Sequence, residues 1–313
     1  MLYLYKFLFE KMLNRRILRI KAFKAIYSYA ENQSMSLKDV ESQLEMSCEA
    51  TRDLYLFLLS VAGPLTSEAG ERMEAARAKF NPTEEERNPN CKFVENSITP
   101  LLVGDPDFSK IVSKKKLSWE QYDVLLRHLY DNIRSREYFK EYMSAPERSL
   151  KADAALWSDI FANEFEDNAE LEEILEDLSI WWNDDLAYAL NWCCRTMEDL
   201  GKGLRWNLPP LYMSEIQHSA ENDHAFVAGI VRKAVSGFGN YYETIASMTP
   251  KWDKSRICFT DLALIIAGIA EHDAFPNIPA KVTINEFVEI SKYYSTPESR
   301  AFVNGLLDKL INK

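Results

Sequence analysis

Apolar residues recur at intervals of three and four along most of this chain, the spacing that gathers side chains on one face of an α-helix. Leu18, Ala22, Ala25, Ile26 and Tyr29 form the first such stripe. Leu54, Leu56, Leu58 and Val61 continue an apolar helix as far as Gly63-Pro64, where a turn is expected. Further stripes run through Tyr122, Leu125, Leu126, Leu129 and Ile133, and through Phe226, Ile230, Val231, Ala234 and Phe238. Phe259, Leu262, Ile265, Ile266 and Ile269 predict a strongly buried helix, and Phe302, Leu306, Leu307 and Leu310 a closing one. No segment sustains the period-two alternation of a half-buried strand, so the pattern predicts an all-α fold.

Boundary signals refine this picture. Ser36 with Asp39 and Ser118 with Gln121 resemble capping boxes that open helices. Thr296-Pro297-Glu298 combines a threonine N-cap, proline at the first helical position and a carboxylate near the positive end of the dipole. Ala75 to Cys91, with Pro82, three consecutive glutamates and Asn-Pro-Asn, reads as a loop or linker. Lys110 to Lys116 reads as a basic, solvated loop ahead of a helix. Gly305 is placed to let a neighbouring helix approach.

Composition adds constraints. With 313 residues, 47% of them hydrophobic and only 10 glycines, the chain can bury a sizeable core and carries no low-complexity signature. A formal charge of −11 excludes a general nucleic-acid coat, because such binding rests on many cations releasing counterions. The charge is uneven. Six basic residues and no acidic one lie between Lys11 and Ala30, whereas twelve acidic residues and no lysine or arginine lie between Asp153 and Asp185. Leu171, Ile174, Leu175, Leu178, Trp181 and Trp182 thread that acidic block at helical spacing, so it reads as an acidic amphipathic helix. Five cysteines without a Cys-x-x-Cys pair give neither a disulfide framework nor a zinc site. Met1 to Phe9 is interrupted by Lys6 and is too short to cross a bilayer, and Met12 is a second candidate start, so residues 1–11 read as an N-terminal extension. The expected setting is cytoplasmic, with no membrane contact and no cofactor.

The candidate chemistry lies on the first helix. Opposite its apolar stripe stand Arg16, Arg19, Phe23 and Tyr27, read as an outward strip of guanidinium groups and rings, and Arg15 falls nearer the stripe. Guanidinium groups neutralise phosphates while rings stack unpaired bases, so this pairing of residue types suits single-stranded RNA.

The same residues carry a family resemblance. Arg15-Arg16-Ile-Leu-Arg19 followed by Ala25-Ile26-Tyr27 resembles the opening helix of the NusB family of transcription antitermination factors. Val282-Thr-Ile-Asn-Glu286-Phe-Val-Glu289, then Glu298-Ser299 and Phe302-Val-Asn-Gly-Leu-Leu-Asp308-Lys309, resembles that family's last two helices. The resemblance implies a NusB-like helical bundle split by an additional inserted helical region. Its parts would be residues 12–50 as the arginine-rich N-terminal part, 51–221 as an acidic helical insertion and 222–313 as the C-terminal helical subdomain. It also implies a function: binding boxA-like single-stranded RNA together with NusE, a ribosomal protein, on the RNA polymerase elongation complex during ribosomal RNA synthesis. Arg15, Arg16 and Arg19 match RNA-binding positions, as do Tyr241, Tyr294, Glu298 and Phe302, and Tyr27 matches a position on the NusE side. Tyr241, Tyr294 and Phe302 also suit plain packing.

Two other classes compete. A carboxylate-metal enzyme built in a helical bundle needs paired Glu-x-x-His motifs, and only Glu215 to His218 has that spacing. A protein-interaction bundle without RNA binding would use the acidic segment to dock a basic partner, and would lack salt-sensitive RNA binding. No glycine-rich nucleotide turn or proline-cysteine pair supports a methyltransferase.

Overall fold

The computed structural model describes residues 11–182, 184–212, 222–248 and 258–312. Among them every regular element is helical and no strand occurs. The chain divides into two compact units, one formed by Met1–Glu49 with Pro210–Lys313 and the other by Ala50–Pro209. The first unit holds 18 basic and 18 acidic residues and the second 19 and 30, so the entire −11 of the chain resides in the second.

In the first unit, helix α1 (Arg15–Glu31) packs against α12 (Asp223–Met248), α13 (Phe259–Ala274) and α14 (Ala280–Tyr294), and α15 (Pro297–Ile311) closes on α13 and α14. Helix α13 is the central rod: every residue from Asp261 to Glu271 is buried. A helix apolar all round has no stable place except the interior, which is why the nine-residue run Leu262–Ala270 sits there. Each fully buried Leu or Ile contributes about 1.5–3 kcal/mol. Gly268 is the close-approach residue, since a Cβ there would stand 2.7 Å from Leu307 Cδ2. Gly305, expected in that role, is exposed with open space around it. Met12 and Leu13 are fully buried, and their amides donate to the carbonyls of Pro210 and Leu211 at 2.7 and 3.0 Å.

Helix α2 (Leu37–Leu59) opens at the Ser36–Asp39 pair, where the Asp39 carboxylate accepts from both the amide and hydroxyl of Ser36. It is one helix through both the segment that Ser36 opens and the Leu54–Leu58 stripe, because no glycine or proline interrupts it. Its residues from Ala50 onward belong to the second unit.

There α3 (Ala62–Arg77) begins before Gly63-Pro64, so that proline occupies a first helical turn, where it removes no intrahelical bond. The stretch read as a linker contains a helical turn, α4 (Glu84–Arg87), opened by a capping box of Thr83 and Glu86. After α5 (Ile98–Val103), the lysine cluster read as a loop is helix instead: α6 (Pro106–Lys115) ends with Lys114 and Lys115 in its last turn. Cations there face the negative end of the dipole, and Asp105 caps the opposite end. Ser118 and Gln121 do not cap α7 (Asp123–Ser135); Ser118 Oγ accepts only from the Glu120 amide. Helices α8 (Glu137–Ser144), α9 (Leu150–Asn163), α10 (Ala169–Leu178) and α11 (Leu186–Gly201) complete the unit, with α9 against α11 around Trp157, Phe161 and Cys193.

Candidate nucleic-acid interface

Asn14 starts α1 by accepting the Ile17 amide at 3.0 Å, and no acidic side chain occupies the first turn. Arg15, Arg16 and Arg19 therefore stand near the positive end of the helix dipole, a position unfavourable for cations. Carboxylates from three neighbouring helices compensate. Asp223, at the start of α12 and almost wholly buried, takes Arg15 Nε at 3.0 Å and Lys11 Nζ at 2.6 Å. The Arg15 guanidinium also lies 4.0 Å above the Phe226 ring. Arg16 forks onto Glu286 of α14 with bonds of 3.1 and 2.8 Å, and its side chain stays 53% exposed.

Arg19 differs. It is 5% exposed and forks onto Glu271 of α13, which is 0% exposed, with bonds of 2.7 and 2.8 Å. Thr283 Oγ1 donates to the same carboxylate at 2.8 Å. The outward strip expected from the sequence is corrected here: Arg19 and Phe23 are interior, with Phe23 only 3% exposed. Their spacing to the stripe explains this, because Arg19, Ala22, Phe23 and Ile26 lie on one helical face, and a deep carboxylate allows an arginine to share it. Lys21 is buried as well.

Glu286 links the two arginines, since Arg19 Nη1 lies 3.7 Å from it. The hydrogen bonds from Arg16 hold its carboxyl below the usual glutamate range, outweighing partial burial, and the charges of Arg16 and Arg19 add to this. Arg16 is in turn raised, chiefly by Glu286, with Glu289 and Tyr293 contributing at longer range.

The aromatic candidates fall into different settings. Tyr294 is half-buried with its ring 5.1 Å from Phe23, and Lys24 Nζ lies 5.8 Å from its centroid, so it joins the end of α14 to α1. Phe302 is half-buried on α15, and Glu298 is exposed in that helix's first turn, behind the Thr296 cap. Tyr241 donates to Asp273 at 2.7 Å, and burial together with this bond pushes its hydroxyl pKa up. Tyr27 is half-buried and donates to Glu31 at 2.7 Å. The structure thus gathers Arg16 and Arg19 on Glu286 of α14 and sets Tyr294 farther along α14 against Phe23 and Lys24, while Arg15 pairs with α12 and Tyr241 pairs across α12 and α13. Sequence reasoning missed the carboxylate partners Asp223, Glu271 and Glu286 and the exposed ring of Tyr293. Glu286 and Tyr293 are seven residues apart, and that spacing was the available signal.

Glu215 and His218 lie outside the described residues. Among the described residues no group of three or more His, Cys, Asp or Glu side chains is placed to hold a metal, and no helix is long and apolar enough to cross a membrane.

Residues 195–312 match the sequence profile of the NusB family. The transcription antitermination protein NusB of Finegoldia magna is 32% identical over 97 residues, which cover 31% of this chain and 71% of that protein. The chain belongs to the NusB family. The NusB of Natranaerobius thermophilus is 30% identical over 92 residues, covering 29% of this chain and 66% of its own length. The NusB of Chloroherpeton thalassium is 35% identical over 88 residues, 28% of this chain and 42% of its length. These last two alignments each span less than two thirds of the curated relative. No solved structure matches. The NusB match takes in α12 to α15, and hence Asp223, Glu271, Glu286 and Tyr294, whereas α1 lies outside it. NusB proteins are transcription antitermination factors and not enzymes.

Proposed function

We propose that this chain binds boxA-like single-stranded RNA together with NusE and acts with the RNA polymerase elongation complex in ribosomal RNA transcription. The observation that carries the reading is the Arg16–Glu286–Arg19 arrangement. A guanidinium fork that fits a carboxylate in two bonds fits a phosphate in the same way. Arg16 is half exposed, so an RNA phosphate can take the place of Glu286 on it. The displaced carboxylate keeps Arg19 Nη1 at 3.7 Å, so it is left with a cation beside it. Arg16 is then the phosphate contact, and Arg15 and Lys24 extend the cationic edge. Arg19 acts by positioning, because its bonds to Glu271 fix the height of α1 on α13.

Tyr294 and Phe302 offer partly open ring edges along α14 and α15, with Glu298 and Tyr241 farther along the same reading, and Tyr27 serves the NusE side. RNA and protein partner on adjacent surfaces reinforce one another through effective concentration, so neither contact has to be tight alone. The test is a filter-binding titration with short boxA-like RNA. Arg16→Ala weakens binding about tenfold, the loss of charge-assisted hydrogen bonds to one phosphate. Capture of NusE from a bacterial lysate rises when the RNA is present. Equal affinity of wild type and Arg16→Ala removes the site, and salt-insensitive or absent RNA binding leaves a protein-interaction bundle in its place.

A further inference from the structure

We infer that Tyr293 is a base-stacking contact, so that the α1–α14 edge grips one RNA segment at two points: a phosphate at Arg16 of α1 and an unpaired base on the Tyr293 ring of α14. This rests on the RNA-binding reading above. Tyr293 is 82% exposed, and among the described residues of the first unit it is the most exposed large apolar side chain. Burial normally removes such a ring from water, and one left out at a helix end without a packing partner is available for a ligand.

Its placement selects the ligand. Glu286, Glu289 and Tyr293 follow at three- and four-residue steps, so they share one face of α14, with Glu286 to Tyr293 spanning about 10 Å of rise. Arg16 sits over the Glu286 end of that face and senses Glu289 and Tyr293 electrostatically. The backbone that carries the ring is held in place, because Tyr294 next to it packs on Phe23 and the Ser295 amide donates to the Ser291 carbonyl at 3.0 Å. Around Tyr293 the surface is charged: Glu289 pairs with exposed Lys292 at 2.5 Å. A protein partner wants an apolar patch with a polar rim. A lone ring among charges suits a planar base, whose stacking is sequence-tolerant. Glu289 and Lys292 neutralise one another, so this end presents no spare cation and the phosphate is left to Arg16. The family resemblance implies Tyr294, one position on, which is half-buried against Phe23 and leaves Tyr293 as the more open ring.

Fluorescence anisotropy with a labelled boxA-like single strand, run across a salt series on the full chain, tests this. Tyr293→Ala weakens binding about five- to one-hundredfold without changing the slope of log affinity against log salt, because a stack displaces no counterions. Tyr293→Phe retains wild-type affinity, and Arg16→Ala lowers both affinity and slope. An unchanged melting curve for Tyr293→Ala shows that the fold is intact. Wild-type affinity in Tyr293→Ala, alongside a weakened Arg16→Ala, overturns the stacking contact and leaves the RNA reading standing. Absence of salt-sensitive binding in the wild type overturns both.

Discussion

Arg19→Ala separates architecture from RNA contact. The variant leaves the Glu271 carboxylate at the centre of the first unit with one bond, from Thr283, in place of three. Removing one partner of a buried pair costs about 3–5 kcal/mol, because the remaining charge is neither hydrated nor neutralised. Against a typical domain stability of about 5–15 kcal/mol, that is a large share. In a unit of this size each kcal/mol shifts the melting temperature by about 2–4 °C, so a fall of roughly 6–20 °C follows. Arg16→Ala breaks a half-exposed pair and costs no more than about 1 kcal/mol. Six of the seven tryptophans lie between residues 50 and 209, so intrinsic fluorescence reports the other unit. Hydrogen exchange followed on peptides from α1 and α13 reads the first unit directly. Arg19→Met with Glu271→Leu recovers most of the loss, since an apolar pair of similar volume replaces a buried ion pair at little cost. Equal destabilisation by Arg19→Ala and Arg16→Ala refutes the reasoning.

Four further outcomes follow from the same geometry. Glu286 has a depressed folded-state pKa, so its pairing stabilises the protein above the unfolded value of about 4.5 and the benefit is lost as pH falls through the lower folded value. Melting temperatures of wild type and Glu286→Gln therefore differ at neutral pH and converge in acid, while Glu286→Gln binds RNA more tightly at pH 7 because the competitor for Arg16 has lost its charge. Gly268→Val drives a branched side chain into Leu307 and Phe287 and destabilises by roughly 1–3 kcal/mol in denaturant titration. Thr296→Ala removes the N-cap of α15 and costs about 1 kcal/mol, with faster amide exchange at Ser299. With one to three phosphates engaged, the salt slope of RNA binding lies between about −0.7 and −2, and a value near −4 would mean that all six basic residues of the N-terminal segment bind phosphate.

The helical class was legible because it rests on local spacing, and so were the caps whose partners are three residues apart, such as Thr296 with Ser299 and Ser36 with Asp39. Capping at Ser118 failed for a reason that spacing does not encode. Trp119 is drawn into the core, where its indole donates to the Phe57 carbonyl at 2.9 Å and its ring stacks at 4.3 Å on Phe57, so the helix starts later. Charge alone suggests a loop for the lysine cluster at 110–116, but Phe108 is buried on the same segment. The dipole end and the Asp105 cap make a helix the better place for it.

For the candidate site, residue type singled out α1 and misjudged which of its charges face water. The charge of arginine suggests an outward position for residue 19, but its three-, four- and seven-residue relations to Ala22, Phe23 and Ile26 put it with the core. Its partner Glu271 is 252 residues away in sequence, and no local pattern announces it. Net charge is likewise unevenly placed. A total of −11 excludes a general nucleic-acid coat, and that surplus lies wholly between Ala50 and Pro209, which leaves the unit bearing α1 neutral. Screening at physiological salt acts over about 8 Å, so what an RNA phosphate meets is set by groups within that range and not by the sum over the chain. Along α1 those groups are Arg16, Arg15 and Lys24; Glu286 and Asp223 hold the two arginines, and Glu286 has a second cation, Arg19, beside it. An arginine paired in the free protein is therefore compatible with binding RNA, provided that its carboxylate has somewhere else to go.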